Sequence, residues 1–163
     1  MDRDTLRAVQ APLKERYRSD PAAALVTLTA DGDLGAGVSC SVATGRAIAE
    51  AGLHPATGGD GSLVCSGDML LQALVACAGV TMRSVATSLE IPVAGTLRAE
   101  GDLDFKGTLG VDREAPVGFT AIRLFFDVLA PDDKRDKLLE LTLRYCVVWQ
   151  TLRSSVALTA AYS

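Results

Sequence analysis

The sequence predicts an α+β protein, and three patterns along its 163 residues support that fold class. An apolar run from Met69 to Met82 lies inside a predicted helix at 66–89. Residues 95–105 alternate between apolar and polar side chains, which is typical of a strand with one face in water. A third segment, after Pro131, repeats apolar residues at helical spacing. The predicted order is therefore helix, strands, buried helix, strands, helix and strand.

The segment before the apolar run is predicted to hold one helix and three extended pieces. The helix covers about residues 2–19, and Pro12 should kink or restart it. Its apolar stripe consists of Leu6, Val9, Leu13 and Tyr17. The extended pieces are residues 23–30, 37–44 and 46–53, with a turn at Asp31-Gly32-Asp33 between the first two. The Gly/Pro-rich loop that follows holds His54, which we expect to be exposed.

The helix at 66–89 is the predicted centre of the fold. Its apolar side chains point in nearly every direction, so we expect it to be buried on all sides. Ser66 or Asp68 can cap its start. The apolar run is shorter than the roughly 20 residues that a bilayer requires. One chain offers few other elements to cover this helix, so we expect an obligate homodimer whose interface includes it.

The C-terminal half is predicted to contain two strands, a second long helix and a closing strand. The strands are residues 95–105 and 119–129, and the closing strand is 156–162. The helix begins after Pro131, and Cys146 lies on the flank of its apolar stripe. That stripe consists of Leu138, Leu141, Tyr145, Val148 and Leu152.

Composition narrows the class of protein. Hydrophobic residues make up 48% of the chain and charged residues 22%, as in a globular protein with one core. The formal net charge is -4 and no Lys/Arg-rich run occurs, so neither a nucleic acid nor an anionic membrane is an expected partner. The N-terminal residues lack the apolar core of a signal peptide, so we expect a cytoplasmic location.

Four cysteines supply the candidate chemistry: Cys40, Cys65, Cys77 and Cys146. They form no C-x-x-C pair and His54 is the only histidine, so no metal site is predicted. A cysteine inside an apolar helix often serves only as a small hydrophobic side chain. In a reducing compartment, however, redox-active cysteines are more plausible than a static disulfide framework.

Two motifs carry a resemblance to a known family. The first is Ala76-Cys77-Ala78-Gly79 in the middle of the apolar helix. The second runs from Tyr145 to Leu152 and reads YCVVWQTL. In this order, with a strand pair between them, they resemble the OsmC/organic hydroperoxide resistance superfamily over roughly residues 20–163. The resemblance implies one OsmC-like domain over 1–163 with an additional N-terminal helix at about 2–19. It also implies strands around two central buried helices and an intertwined homodimer.

The resemblance also implies an activity and roles for four residues. Family members reduce organic hydroperoxides and serve in the oxidative stress response. Cys77 would attack the peroxide and form a sulfenic acid, and Cys146 would resolve it to a disulfide. No cofactor is implied, because an external thiol reductant returns the electrons. The family also uses an upstream arginine and a glutamate near the helix start; here Arg46 and Asp68 are the candidates, and Gly67 stands at the glutamate position.

Several alternatives stay open on the sequence alone. Arg16 and Arg18 could replace Arg46, and Cys65 could replace Cys146 as the resolving thiol. The helix start lies about 15 Å from Cys77, so we expect a cation from elsewhere to lower the Cys77 pKa.

The expected pocket is apolar and is formed by Leu74, Val80, Met82 and Trp149. The competing function is a non-catalytic OsmC-like protein that binds a small hydrophobic ligand in the dimer cleft.

Overall fold

The computed structural model describes residues 3–34, 40–42 and 51–161. The helices are α1 (Arg3–Ser19), α2 (Ser66–Ser88), α3 (Phe105–Thr108), α4 (Asp132–Tyr145) and α5 (Val147–Arg153). The strands are β1 (Leu25–Leu34), β2 (Cys40–Val42), β3 (Ala51–Gly52), β4 (Val64–Cys65), β5 (Ala94–Asp104) and β6 (Phe119–Leu129). Short 3₁₀ helices lie at Pro21–Ala24 and Pro55–Thr57. Helices and strands are mixed, as the sequence predicted.

Four of the strands form one antiparallel sheet in the order β2-β1-β5-β6. Strand β5 pairs with β1 from Asp104↔Leu25 to Thr96↔Asp33, and on its other side it pairs with β6. The alternation predicted for residues 95–105 is confirmed, because the apolar positions of β5 are buried and the polar ones are half-exposed. Glu100 and Asp102 on the polar side form ion pairs with Arg123 of β6.

The prediction of a turn at Asp31-Gly32-Asp33 is wrong. These residues continue β1, where Gly32 and Asp33 pair with both β2 and β5. The extended ladder with β5 overrides the local turn preference of an Asp-Gly-Asp sequence. The third extended piece is observed only as the two residues of β3, since 43–50 lie outside the described part.

Helix α2 packs on the sheet through one face only. Its buried residues are Leu71, Leu74, Val75, Ala78, Gly79, Met82, Val85 and Ala86. They contact β1 and β5 of the sheet and the helices α4 and α5. On the opposite side Leu70 and Val80 are 37% and 39% exposed. Among the described residues, one chain therefore does not bury α2 on every side and leaves an apolar stripe of this helix partly exposed, so the expected burial on all sides requires the predicted dimer.

Helix α1 confirms the predicted N-terminal helix, and it continues through Pro12 without a second start. It docks through Tyr17, which is buried and donates a hydrogen bond to the carbonyl of Ala56. This bond ties α1 to the loop before α2, and α1 also contacts the 3₁₀ helix at Pro21–Ala24 that follows it.

The second long helix breaks at Cys146. This residue has an extended backbone, with φ -71 and ψ 108, and it separates α4 from α5. The buried positions of α4 are Leu138 and Thr142, and Cys146 continues the same face. Tyr145 of the predicted stripe is instead exposed. The closing strand predicted at 156–162 is not formed over its described part, where residues 154–161 are irregular and exposed.

Candidate active site

The break between α4 and α5 lies against the middle of α2 and brings two cysteines into contact. Cys77 is half-buried on α2, and Cys146 is fully buried at the break. The two side chains are close enough for each to shift the pKa of the other, and both are free thiols. The structure therefore brings together the two cysteines that the resemblance singled out.

A set of hydrogen bonds holds the break open. The N–H of Cys146 closes the last turn of α4 by donating to the Thr142 carbonyl at 2.9 Å. The side-chain amide of Gln150 donates to the Leu143 carbonyl at 2.8 Å, so this oxygen is satisfied although the helix does not continue. The sulfur of Cys146 caps α5 by accepting the Trp149 N–H at 3.4 Å. The first N–H groups of α5 are thus free to face α2.

These N–H groups favour the ionised form of Cys77. Burial raises the Cys77 pKa, but hydrogen bonds from the Val148 N–H, the Cys146 thiol, the Val147 N–H and the Thr81 hydroxyl outweigh it. The net result is a pKa below the ordinary value of a cysteine. Within the described part of the chain, a cation is therefore not needed to lower the Cys77 pKa, as had been expected. Peptide N–H groups supply positive charge density at the sulfur instead.

Cys146 has the opposite electrostatic environment. Burial, and the hydrogen bond and negative charge of Cys77, raise its pKa to about 11. Cys146 is therefore a protonated thiol at neutral pH, and its S–H favours the ionised form of Cys77. The two thiols therefore differ in acidity, which is the condition under which two equivalent side chains can take different roles.

An apolar pocket of about 280 Å³ opens between α2, β6 and α5, and neither Cys77 nor Cys146 is among its lining residues. Its lining residues are Leu74, Phe119, Thr120, Ala121, Ile122, Trp149, Leu152 and Arg153. Leu74 lies one turn before Cys77 on α2, and Trp149 follows Cys146 on α5. Of the four residues expected in the pocket, Leu74 and Trp149 line it, whereas Val80 is exposed and Met82 packs in a separate cluster of the core. Within the described part of the chain, the buried indole N–H of Trp149 has no hydrogen-bond partner.

The other predicted site residues do not join Cys77 in this chain. Asp68 lies nine residues before Cys77 on the same helix, which places it about 180° around the axis and about 13 Å along it. Its electrostatic partner is His54, which is half-buried and stacks on Phe105 instead of being exposed as expected. Arg46 lies outside the described residues, as does the side chain of Cys40.

Cys65 is also separated from Cys77. It stands at the N-terminal end of α2 and lines a different cavity, at about 18 Å of helical rise from Cys77. A disulfide requires Cα atoms about 4.4–6.8 Å apart. Within one folded chain, Cys65 therefore cannot replace Cys146 as the partner of Cys77.

Two residues that contact the site were missed by the sequence reasoning. Thr81 could have been found, because it lies one helical turn after Cys77 and so on the same face of α2. Gln150 could not have been found, because its role depends on a helix break that no glycine or proline in the sequence indicates.

Among the described residues no group of three metal-binding side chains occurs. By length and composition alone, α2 could cross a membrane, but a core helix packed on a sheet passes the same test.

The fold and the site define a mixed helix-and-sheet protein with a paired-cysteine centre between two helices. The model of the OsmC-like protein family matches residues 59–161, and the chain belongs to this family. The structure is similar to that of an OsmC-like hydroperoxide resistance protein from Jannaschia sp. CCS1. The TM-score is 0.53 and the identity 19%, over 83% of this chain and 91% of the other. No curated protein sequence matches this chain significantly.

Proposed function

We propose that this protein is a thiol-dependent organic hydroperoxide reductase in which Cys77 attacks the peroxide and Cys146 resolves the product. The observation that carries the proposal is the contact between a thiol whose pKa is lowered and one whose pKa is raised to about 11. Membership of the OsmC-like family, and the similarity to a hydroperoxide resistance protein, agree with this activity.

In the first step the Cys77 thiolate attacks the terminal oxygen of the hydroperoxide. An S–O bond forms and the O–O bond breaks, and its electron pair leaves with the alkoxide, which takes a proton from water to become an alcohol. The sulfur is oxidised to a sulfenic acid and the peroxide is reduced. The N–H groups of Val147 and Val148 favour this step by keeping the sulfur ionised before the attack.

The second step follows from the loss of charge on Cys77. A neutral sulfenic acid no longer opposes ionisation of Cys146, so the Cys146 thiol becomes easier to deprotonate. Its sulfur attacks the Cys77 sulfur, an S–S bond forms, and the hydroxyl leaves as water with the proton from Cys146. An external thiol then reduces the disulfide, and no bound cofactor is needed.

The assembly we propose is a homodimer in which two central α2 helices face each other. The uncovered stripe of α2, with Leu70 and Val80 partly exposed, supports this arrangement, because apolar patches at a functional element mark interfaces. Arg46, and Asp68 of a second chain, remain candidates to complete the site in such a dimer. Light scattering that shows a stable folded monomer at micromolar concentration would contradict it.

The test of the activity is peroxide consumption with cumene hydroperoxide and dithiothreitol. We expect wild type to be active and Cys77→Ser to be inactive. Cys146→Ser should react once and then accumulate sulfenic and sulfinic acid at Cys77. Mass spectrometry should map one disulfide between Cys77 and Cys146, and Cys40→Ser should behave like wild type. A Cys65–Cys77 peptide instead would remove Cys146 from the mechanism.

The apolar pocket supports a preference for organic over hydrogen peroxide. Removing about 60 Å² of alkyl surface from water contributes about 1.5 kcal/mol at about 25 cal/mol per Å², which is roughly tenfold in kcat/KM. Hydrogen peroxide has no such surface. Equal kcat/KM values for the two peroxides would show that the pocket does not bind the substrate.

A second candidate is a non-catalytic OsmC-like protein that binds a small hydrophobic ligand. The unpaired indole N–H of Trp149 beside the apolar pocket favours it, because a buried donor without a partner is costly. If this is the function, wild type and Cys77→Ser should bind the same ligand equally well and neither should consume peroxide.

A further inference from the structure

The pocket between α2, β6 and α5 has a hydrogen-bond donor in its wall for which the structure shows no partner. The indole N–H of Trp149 is buried, and within the described part of the chain no atom accepts its hydrogen bond. Trp149 lines the pocket together with Leu74 of α2 and residues 119–122 of β6. A buried donor without a partner is costly, so a ligand oxygen that accepts this bond is favoured.

The wall of the pocket on the sheet side depends on an irregularity of β6. Phe119 pairs with Leu103 of β5 and Ala121 with Asp102, so β6 has one extra residue between the two pairs. A bulge of this kind re-aims side chains relative to a regular strand. The ring of Phe119 lies where a Cβ at Gly101 would be. The bulge and the glycine together place an aromatic ring at the pocket.

The polar groups of the lining favour a ligand that accepts a hydrogen bond over one that donates it. The hydroxyl of Thr120 already donates to the Asp102 carbonyl at 3.1 Å. The other polar side chains of the lining are Trp149 and Arg153, and both are donors only. Among the described lining residues none carries a carboxylate, an amide or an imidazole. A ligand oxygen therefore finds a donor here, whereas a ligand N–H finds at most the Thr120 oxygen.

The buried N–H distinguishes ligands more strongly than the charge of Arg153 does. Arg153 is exposed, and water screens a surface charge so that it attracts an anion only weakly. The Trp149 N–H is shielded from water, and a hydrogen bond is stronger in such surroundings. The volume of about 280 Å³ is at the small end of the range for ligand pockets. The ligand is therefore small and mostly apolar.

We propose that this pocket binds a small apolar molecule whose carbonyl oxygen accepts the hydrogen bond of the Trp149 indole. The half-buried ring turns toward the cavity on binding, and this turn brings its N–H to the ligand. The proposed function assigns the organic part of a peroxide to the same pocket, and the meaning of the carbonyl group for the substrate rests on that function. The binding itself does not, because neither Cys77 nor Cys146 lines the pocket.

The experiment compares acetophenone with α-methylstyrene, which has the same shape but carries a C=CH₂ group in place of the C=O group. Trp149 is the only tryptophan of the chain, so its indole N–H gives a single NMR signal in isotope-labelled protein. Acetophenone should move this signal downfield, because a hydrogen bond deshields the proton. The two ligands have similar ring currents, so the difference between their shifts reports the hydrogen bond.

Trp149→Phe keeps an aromatic ring in the wall and removes the N–H. Dissociation constants can be measured from the backbone amide signals of residues 119–122. Lost packing affects both ligands alike, whereas the lost hydrogen bond should weaken acetophenone about fivefold relative to α-methylstyrene. Tyr145→Phe is the matched control, since it removes a hydroxyl from an exposed aromatic side chain of α4. It should leave both dissociation constants unchanged.

Three results would overturn the proposal. They are an indole signal that responds equally to both ligands, a ratio of dissociation constants that Trp149→Phe does not change, and failure of both ligands to bind wild type. Peroxide plays no part in these measurements. Absence of peroxide consumption in wild type would therefore overturn the proposed function alone.

Discussion

Gln150 keeps the break between α4 and α5 open, and its removal should weaken the ionisation of Cys77. In a continuous helix the Leu143 carbonyl would accept the Val147 N–H. In this structure it accepts the Gln150 side chain at 2.8 Å, and the Val147 N–H is one of the groups that lower the Cys77 pKa. Gln150→Met keeps the length of the side chain but cannot donate. The Leu143 carbonyl then competes with the sulfur for the Val147 N–H.

The expected size of the change in the Cys77 pKa follows from the loss of one neutral hydrogen bond. Its loss is worth about 1 kcal/mol, which shifts the balance between a broken and a continuous helix about fivefold. If that energy is taken from the thiolate, the Cys77 pKa rises by about 0.7 unit. The pKa can be measured from thiolate absorbance near 240 nm in a variant that lacks Cys65 and Cys40.

Thr151→Ala is the matched control for Gln150→Met, since Thr151 is the next residue of α5 and its side chain is exposed. We expect this control to leave the Cys77 pKa at the wild-type value. If Gln150→Met also leaves it there, the Val147 N–H does not depend on Gln150, and our account of the break is wrong.

Two further predictions concern stability. Burial raises the Asp68 pKa, against the opposing charge of His54, so the folded protein binds this proton more tightly than the unfolded chain. The stability from Asp68 is full below the ordinary carboxyl pKa of about 3.9 and is lost as the pH rises through the folded-state pKa. Asp68→Asn should therefore gain stability over wild type from acid to neutral pH in urea unfolding; a pH-independent difference would contradict this. In Gly101→Ala, the new methyl group would overlap the ring of Phe119, which should cost about 1–3 kcal/mol of unfolding free energy. A variant as stable as wild type would show that Phe119 moves freely.

The parts of the fold that depend on local periodicity could be predicted from the sequence. The alternation along β5 identifies this strand and its buried face, and the apolar run identifies the helix α2. The turn at 31–33 failed because pairing with β5, a distant segment, extends β1 through it. Tertiary pairing is not encoded in the propensity of three residues.

The sequence allowed the proximity of Cys77 and Cys146 to be predicted. The lowered pKa of Cys77 could not be predicted, because it comes from peptide N–H groups at Val147 and Val148 that any sequence would supply. These N–H groups are available because the helix breaks at Cys146, and no glycine or proline in the sequence indicates this break. The sequence reasoning therefore looked for a cation, while the structure uses the backbone of a neighbouring helix.

The order of strands in the sheet has a consequence for the synthesis of this protein. Strand β1 lies between β2 and β5, and its ladder with β5 joins residues 25–33 to 96–104. As the chain leaves the ribosome, β1 and the apolar α2 emerge before this partner exists. Until residue 104 has appeared, α2 has no complete sheet on which to bury its apolar face. Long-range pairing of this kind is slow and leaves nascent chains open to aggregation, so slow translation just after α2 would leave the nascent chain in its most vulnerable state.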